Sequence, residues 1–181
     1  MKAAEFGDYS FSNFVVDECN SFAFKAAVSV TENLGGRNTN PMLIWGEPGQ
    51  GKTHLLKAMA SSILEKHPDK KAVYVTGEEF TNDFIACIKN KIYTDFREKY
   101  RKADCLLLDD IQFFKNKEGI QTELYNTVQT LLGAHRQIVL ASEISPGSLE
   151  SIFNNGLENL FLSGLVINIQ LPNFYTRRIT E

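Results

Sequence analysis

Gly46-Glu47-Pro48-Gly49-Gln50-Gly51-Lys52-Thr53 reads GxxxxGK[ST], the residue types and spacing that cradle a nucleotide's phosphates. Glycines let the backbone curl until several N–H groups point inward at phosphate oxygens, and a helix opening at Lys52 aims its positive end at the same place. Lys52 brings a point charge for the β- and γ-phosphates, and the Thr53 hydroxyl a ligand for Mg2+. Gly46, Pro48, Gly49, Gln50, Gly51, Lys52, Thr53 and the adjoining His54 form the candidate cofactor-binding set. A glycine-rich turn with an exposed lysine is the plain alternative. An apolar run before the motif and a helical period after it weigh against that alternative.

Such a loop needs a carboxylate to help hold the metal, and Leu106-Leu107-Leu108-Asp109-Asp110 offers one at the end of an apolar run. Asp109 is the candidate Mg2+ partner, acting through water. Asp110 is the candidate for polarising an attacking water and joins Lys52 in the catalytic set. An acidic pair at a strand end also serves as a simple helix cap, and in isolation that reading is the better one. With a phosphate loop upstream, the balance reverses.

The elements that must carry these residues follow from periodicity. Met42 to Trp45 is a short buried strand running into the loop, with Trp45 in the core; Leu55, Leu56, Met59 and Ile63 mark a helix behind it, closing near His67-Pro68. Ala72 to Thr76 is a second strand. Cys105 to Leu108 is a third, apolar throughout and hence covered on both faces. Gln137 to Ala141 and Val166 to Ile169 are the fourth and fifth. A helix is expected from about Ser21 to Leu34, ended by Gly35-Gly36. Phe80, Phe84, Ile88 and Ile92 recur every four residues and predict another, and Ile120, Leu124, Val128, Leu131 and Leu132 stripe a long one ending at Gly133. Strands alternating with helices at this spacing predict an α/β fold: a largely parallel sheet between helices, with ligands at the carboxyl ends of its strands.

Composition narrows the function classes. A chain of 181 residues with 43% hydrophobic content makes one globular domain that needs no disulfide or metal staple. Its longest apolar runs are a few residues, so no membrane span is expected. The N-terminal MKAAEFGDYS lacks the apolar stretch of a signal peptide. Cys19, Cys87 and Cys105 form no CxxC and read as reduced thiols, which predicts a cytoplasmic location. His54, His67 and His135 have no metal-ligand spacing. A net charge of −3 confines any nucleic-acid contact to a local patch. Residues 89–102 are the candidate, with six basic residues (Lys89, Lys91, Arg97, Lys99, Arg101, Lys102) against Asp95 and Glu98. Tyr93, Phe96 and Tyr100 are interleaved among them. Basic plus aromatic is the composition of a single-strand groove, yet the i, i+3, i+7 spacing is better read as a buried aromatic stripe beneath a solvated basic face.

The motifs go beyond a generic phosphate loop. Phe11 to Asn20 (FSNFVVDECN), NPMLIW at 40–45, GKTHLLKA at 51–58, EFTNDFI at 79–85, LLLDDIQFF followed by Asn116-Lys117-Glu118, Gln137-Ile138-Val139 and the late Thr176-Arg177 together resemble the AAA+ module of the bacterial replication initiator DnaA family, over nearly the whole chain. The resemblance implies a P-loop AAA+ three-layer sandwich with a five-stranded, mostly parallel sheet, and ATP or ADP with Mg2+ as cofactors. It implies an adenine pocket in residues 1–20, built partly by Phe14, Val15, Val16 and Asn20. It implies head-to-tail association with other initiator subunits at an origin of replication. A helical insertion, here residues 80–102, would line the filament and grip single-stranded DNA. The positions matching the DNA contacts are Ile85 and Lys117.

Four departures from the family pattern bear on activity. The segment before the last strand, approximately RLxSRF in the family, is Gly156-Leu157-Glu158-Asn159-Leu160-Phe161 here, so Gly156 and Leu160 replace both arginines. The second arginine is the finger that enters a neighbour's ATP site, worth several orders of magnitude in rate in comparable NTPases. The polar sensor Ser-Asp-Arg is Ser142-Glu143-Ile144, which leaves Glu143 as the sensor candidate in the catalytic set. The basic residue expected two positions after Lys117 is Gly119. The helical lid and the helix-turn-helix DNA-binding domain would begin about where the sequence reaches Glu181, so residues 1–181 are expected to hold the ATP-binding core without them. The expectation is a weak ATPase dependent on a partner's finger, or a regulatory relative that binds ATP and initiator subunits and caps the filament.

Overall fold

The computed structural model describes residues 6–154 and 156–170. Five strands, β1 (Met42–Trp45), β2 (Ala72–Thr76), β3 (Cys105–Asp109), β4 (Gln137–Ser142) and β5 (Leu165–Asn168), form one sheet in the order β2-β3-β4-β1-β5, and every pairing is parallel. The helices are α1 (Ser21–Glu32), α2 (Lys52–Lys66), α3 (Gly77–Asn90), α4 (Tyr93–Tyr100), α5 (Glu118–Gly133) and the short α6 (Leu157–Leu162). Short 3-10 segments at Ile111–Phe114 and Pro146–Ser151 were not legible as elements in the sequence.

Successive strand residues alternate faces, and the sheet has a separate core on each. Leu43, Val73, Val75, Leu106, Leu108, Ile138 and Leu140 face α3, α5 and α6. Met42, Ile44, Ala72, Cys105, Leu107, Val139 and Ala141 face α1 and α2. This double cover explains why β3 and β4 are apolar without alternation. Asp109 shares the parity of Cys105 and Leu107, so it points toward α2. β1, β4 and β3 are adjacent, which sets the ends of three strands side by side: the loop after β1, Glu143 after β4 and Asp109 at the tip of β3.

Several expectations need correction. Phe80, Phe84, Ile88 and Ile92 do not form one buried stripe. α3 ends at Asn90, Lys91 takes a left-handed φ of 58°, and Ile92 precedes α4 as its N-cap. Phe80 is fully buried and Phe84 partly so, but Ile88 and Ile92 are 47% and 45% exposed. Gly77, Phe80 and Thr81 in the first turns of α3 are buried, and of its later residues only Cys87 is. The insertion expected over 80–102 is therefore two helices, and the first begins earlier, at Gly77, under a capping box in which Thr76 and Glu79 exchange hydrogen bonds. Tyr93 is exposed, whereas Phe96 and Tyr100 are buried against Phe80 and against each other, so the spacing marks core packing for two of the three aromatics. Trp45, at the edge of β1, is only half-buried, and Cys19 is half-buried where Cys87 and Cys105 are core. The Thr176-Arg177 match lies outside the described residues. Among those residues, no helix is long and apolar enough to cross a membrane.

Candidate nucleotide site and nucleic-acid groove

β1 ends in a loop whose Gly49 and Gly51 take φ of 79° and 87°. Gly51 is the N-cap of α2 and offers no side-chain cap, so the first-turn N–H groups are left for a ligand. A Cβ at Gly51 would sit 3.1 Å from Phe14 Cε2; glycine is what lets the N-terminal segment close over the loop. The Gly46 N–H donates to the Ser142 carbonyl at 3.1 Å and fixes the loop to β4. Pro48 is exposed at the crest, while Gln50 is buried beneath it, its Oε1 without a partner among the described residues.

Lys52 is 6% exposed, and its Nζ donates to the Gly46 and Glu47 carbonyls at 2.8 Å each. Burial lowers its pKa, opposed by the charges of Glu143, Asp109, Asp110 and Glu47, with Glu143 the strongest of the four. Gly49, Gly51, Lys52, Thr53, Asp110 and Glu143 line one cavity of about 310 Å3, large enough for a chain of phosphates. The structure thus assembles at one mouth the loop, the acidic strand end and the sensor candidate, although they are far apart in sequence.

Asp109 is 1% exposed and bonded on both oxygens: Tyr74 Oη donates to Oδ2 at 2.9 Å and the Asp110 N–H to Oδ1 at 3.0 Å. The Thr53 side chain lies beside this carboxylate and favours its charged form. Burial raises the Asp109 pKa from its ordinary value, opposed by the neighbouring Thr53 side chain. The same burial, with the Asp109 charge, holds the Tyr74 hydroxyl protonated well beyond the ordinary tyrosine range. Thr53 and Asp109 are a hard oxygen pair that fits Mg2+, which takes one or two protein oxygens and completes its shell with water and phosphate. Among the described residues, no cluster of three or more His, Cys, Asp or Glu could cage a metal without a nucleotide. Asp110, in a left-handed conformation at φ 55°, points into the cavity and is held by Gln112 Nε2 at 3.0 Å.

The N-terminal segment packs on α1 and α2 by aromatic contacts. Phe14 stacks on Phe24 at 5.8 Å and meets His54 edge-on at 5.3 Å; His54 Nε2 also bonds the Ser10 carbonyl at 3.1 Å. His54 therefore ties this segment to the loop's helix. Asn20 is buried, with its amide spent on the segment's own backbone: Nδ2 donates to the Val15 carbonyl and Oδ1 accepts from the Asp17 N–H. Val15 is half-buried and Val16 is 45% exposed. Sequence reasoning missed Tyr74 and Gln112. Tyr74 carries a strand-parity signal that places it on the face of Asp109, and Gln112 stands two residues after Asp110.

Ile85 and Lys117 meet in one groove of about 440 Å3 between α3 and the start of α5, lined also by Thr81, Phe84, Ile88 and Ile120. Ile85 is 53% exposed, and the Lys117 ammonium lies over the Phe113 ring, 3.3 Å from its centroid. Three of the six cations in the basic segment are paired. Lys99 pairs with Asp83 at 2.6 Å, Arg101 with Glu123 at 2.6 Å and Lys102 with Glu98 at 2.5 Å.

With this geometry in view, comparison with known proteins is decisive. The family model of the bacterial DnaA ATPase domain matches residues 7–168. The chain belongs to this DnaA family. The chromosomal replication initiator protein DnaA of Lactobacillus helveticus is 44% identical over 169 residues, covering 93% of this chain and 37% of that relative. The chain therefore spans little more than a third of the length of the curated DnaA relatives it matches. The crystal structure of domain III of the Thermotoga maritima initiator superposes with a TM-score of 0.89 at 41% identity, covering 96% of this chain and 71% of that one. A DnaA bound to AMPPCP and single-stranded DNA superposes with a TM-score of 0.86 at 34% identity, over 92% of this chain and 51% of that one. The DnaA family assignment agrees with the five-stranded parallel AAA+ sheet described above.

Proposed function

We propose that this domain binds ATP with Mg2+ and acts as the AAA+ module of a DnaA-type replication initiator in the cytoplasm, associating head-to-tail with other initiator subunits on origin and single-stranded DNA. One observation carries the reading: Lys52, Thr53, Asp110 and Glu143 line one phosphate-sized cavity at the ends of three adjacent strands, with buried Asp109 at the tip of β3. On binding, γ-phosphate oxygens would take over the Lys52 ammonium from the two loop carbonyls. Thr53 and Asp109 would hold Mg2+, which supplies charge neutralisation at the phosphates. Asp110 would orient the attacking water. The AMPPCP and single-stranded DNA of the DnaA relative support both halves of the proposal.

A second reading has its own support. α6 (LENLFL) carries no cation, its charge is Glu158 alone, and Leu160 packs partly against the core. A subunit of this kind receives a neighbour's arginine finger but supplies none, so it would cap or modulate a mixed filament.

Calorimetric titration with ATP and Mg2+, followed by assembly on fluorescent single-stranded DNA, tests the proposal. Native protein should bind ATP and assemble on DNA with ATP but not without it. Lys52→Ala should lose both, and native binding to DNA indifferent to nucleotide would sink the reading.

A further inference from the structure

Tyr74 stands on β2, where it pairs with Leu107, and the next residue on its face, Thr76, pairs with Asp109. The phenol therefore reaches diagonally across the sheet surface, and its hydroxyl donates to Asp109 Oδ2 at 2.9 Å. The ring has little freedom to do otherwise. Phe6 meets it edge-on at 5.9 Å, and the Lys57 ammonium, one turn along α2 from Thr53, lies 5.5 Å from its centroid. Asp109 is 1% exposed, so bulk water is a poor substitute for the donor. With Oδ1 held by the Asp110 N–H at 3.0 Å, the Tyr74 bond fixes the plane of the carboxylate and so the direction of its remaining lone pairs.

We propose that Tyr74 is a positioning residue for metal binding, setting Asp109 in the orientation that receives the Mg2+ of a bound nucleotide. The inference rests on the nucleotide reading above. Partners that orient a metal-binding side chain typically contribute ten- to hundredfold in metal affinity.

Tyr74→Phe removes the hydroxyl and keeps the ring contacts. The probe is a fluorescent ATP analogue, titrated into native and variant protein in EDTA and then at rising Mg2+ concentration. Analogue affinity in EDTA should stay within about twofold of native, while the Mg2+ concentration for half-maximal enhancement rises roughly tenfold or more. A purely structural role would move the EDTA affinity as well, and Tyr74→Leu, which also removes the ring, serves as that comparison. Equal Mg2+ midpoints in native and Tyr74→Phe protein overturn the inference alone. Native protein that gains nothing from Mg2+ overturns it together with the reading beneath it.

Discussion

Gln112 joins the two strand ends that flank the phosphate cavity: its Nε2 donates to Asp110 Oδ1 at 3.0 Å, and its Oε1 accepts from the Glu143 N–H at 3.3 Å. The amide thus sets the direction of the carboxylate assigned to the attacking water and ties it to the sensor segment after β4. Gln112→Ala leaves the loop, Lys52 and Thr53 untouched. It should lower ATP turnover in an assembly with a finger-bearing DnaA roughly tenfold, while ATP affinity changes by less than about twofold. Paired kcat and Kd measurements check this, and equal losses in both would show a general collapse of the site.

Buried Asp109 should cost the empty protein stability as it ionises. Its folded pKa is raised, so between the ordinary carboxylate range and the raised value the folded state holds more protons than the unfolded. Stability from this group is therefore fully present at acid pH and lost as pH rises through that window. Asp109→Asn should melt higher than native at neutral pH without nucleotide. A gain of about 1 kcal/mol corresponds to roughly 2–4 °C at this size. The difference should shrink as pH falls to and below the ordinary carboxylate range, and a melting curve series across pH reads it directly.

The sheet was legible because every strand ran apolar between helical periods; β3 and β4 each run one residue further, and β5 sits one residue earlier at both ends. The phosphate loop and Asp109 were legible because their chemistry is written in contiguous residues. Tyr74 and Gln112 were not, since each acts through one hydrogen bond across β2–β3 or β3–β4 that needs the register to be seen. Periodicity misled on α3 because Ile88 and Ile92 extend an apolar pattern onto exposed positions and past the end of the helix at Asn90. Charge counting misled on α4. Of its basic residues, Lys99 has Asp83 within 2.6 Å, a partner sixteen positions upstream that only the packing of the two helices supplies.

These ion pairs separate two kinds of DNA contact. Lys117→Ala should reduce the salt dependence of single-strand binding by about 0.7 in the slope of log K against log salt, the amount due to one phosphate. Ile85→Ala should weaken binding at every salt concentration and leave the slope unchanged, because an exposed apolar side chain contacts bases or sugars rather than phosphate. Lys99→Ala should change the slope less than Lys117→Ala does, since Asp83 competes with phosphate for its ammonium. Fluorescence polarisation over a salt series distinguishes the three.

Restoring a finger calls for one substitution rather than two. Gly156 takes φ of 78°, a conformation that strains any L side chain, although a Cβ there would meet nothing nearer than Asn159 Nδ2 at 3.9 Å. Gly156→Arg should therefore lose about 1–2 kcal/mol of stability through the backbone alone. Leu160 lies inside α6, partly exposed, where arginine is a good helix former and its stem can cover the apolar surface that leucine leaves. Leu160→Arg by itself should raise single-turnover ATP hydrolysis in mixtures with a DnaA relative, provided this subunit abuts the relative's nucleotide. An increase of roughly tenfold or more is expected from the charge a finger places at the γ-phosphate. Hydrolysis that stays at the level of the native mixture, with binding between the two proteins intact, would remove the capping reading and leave the missing cation without consequence at that interface.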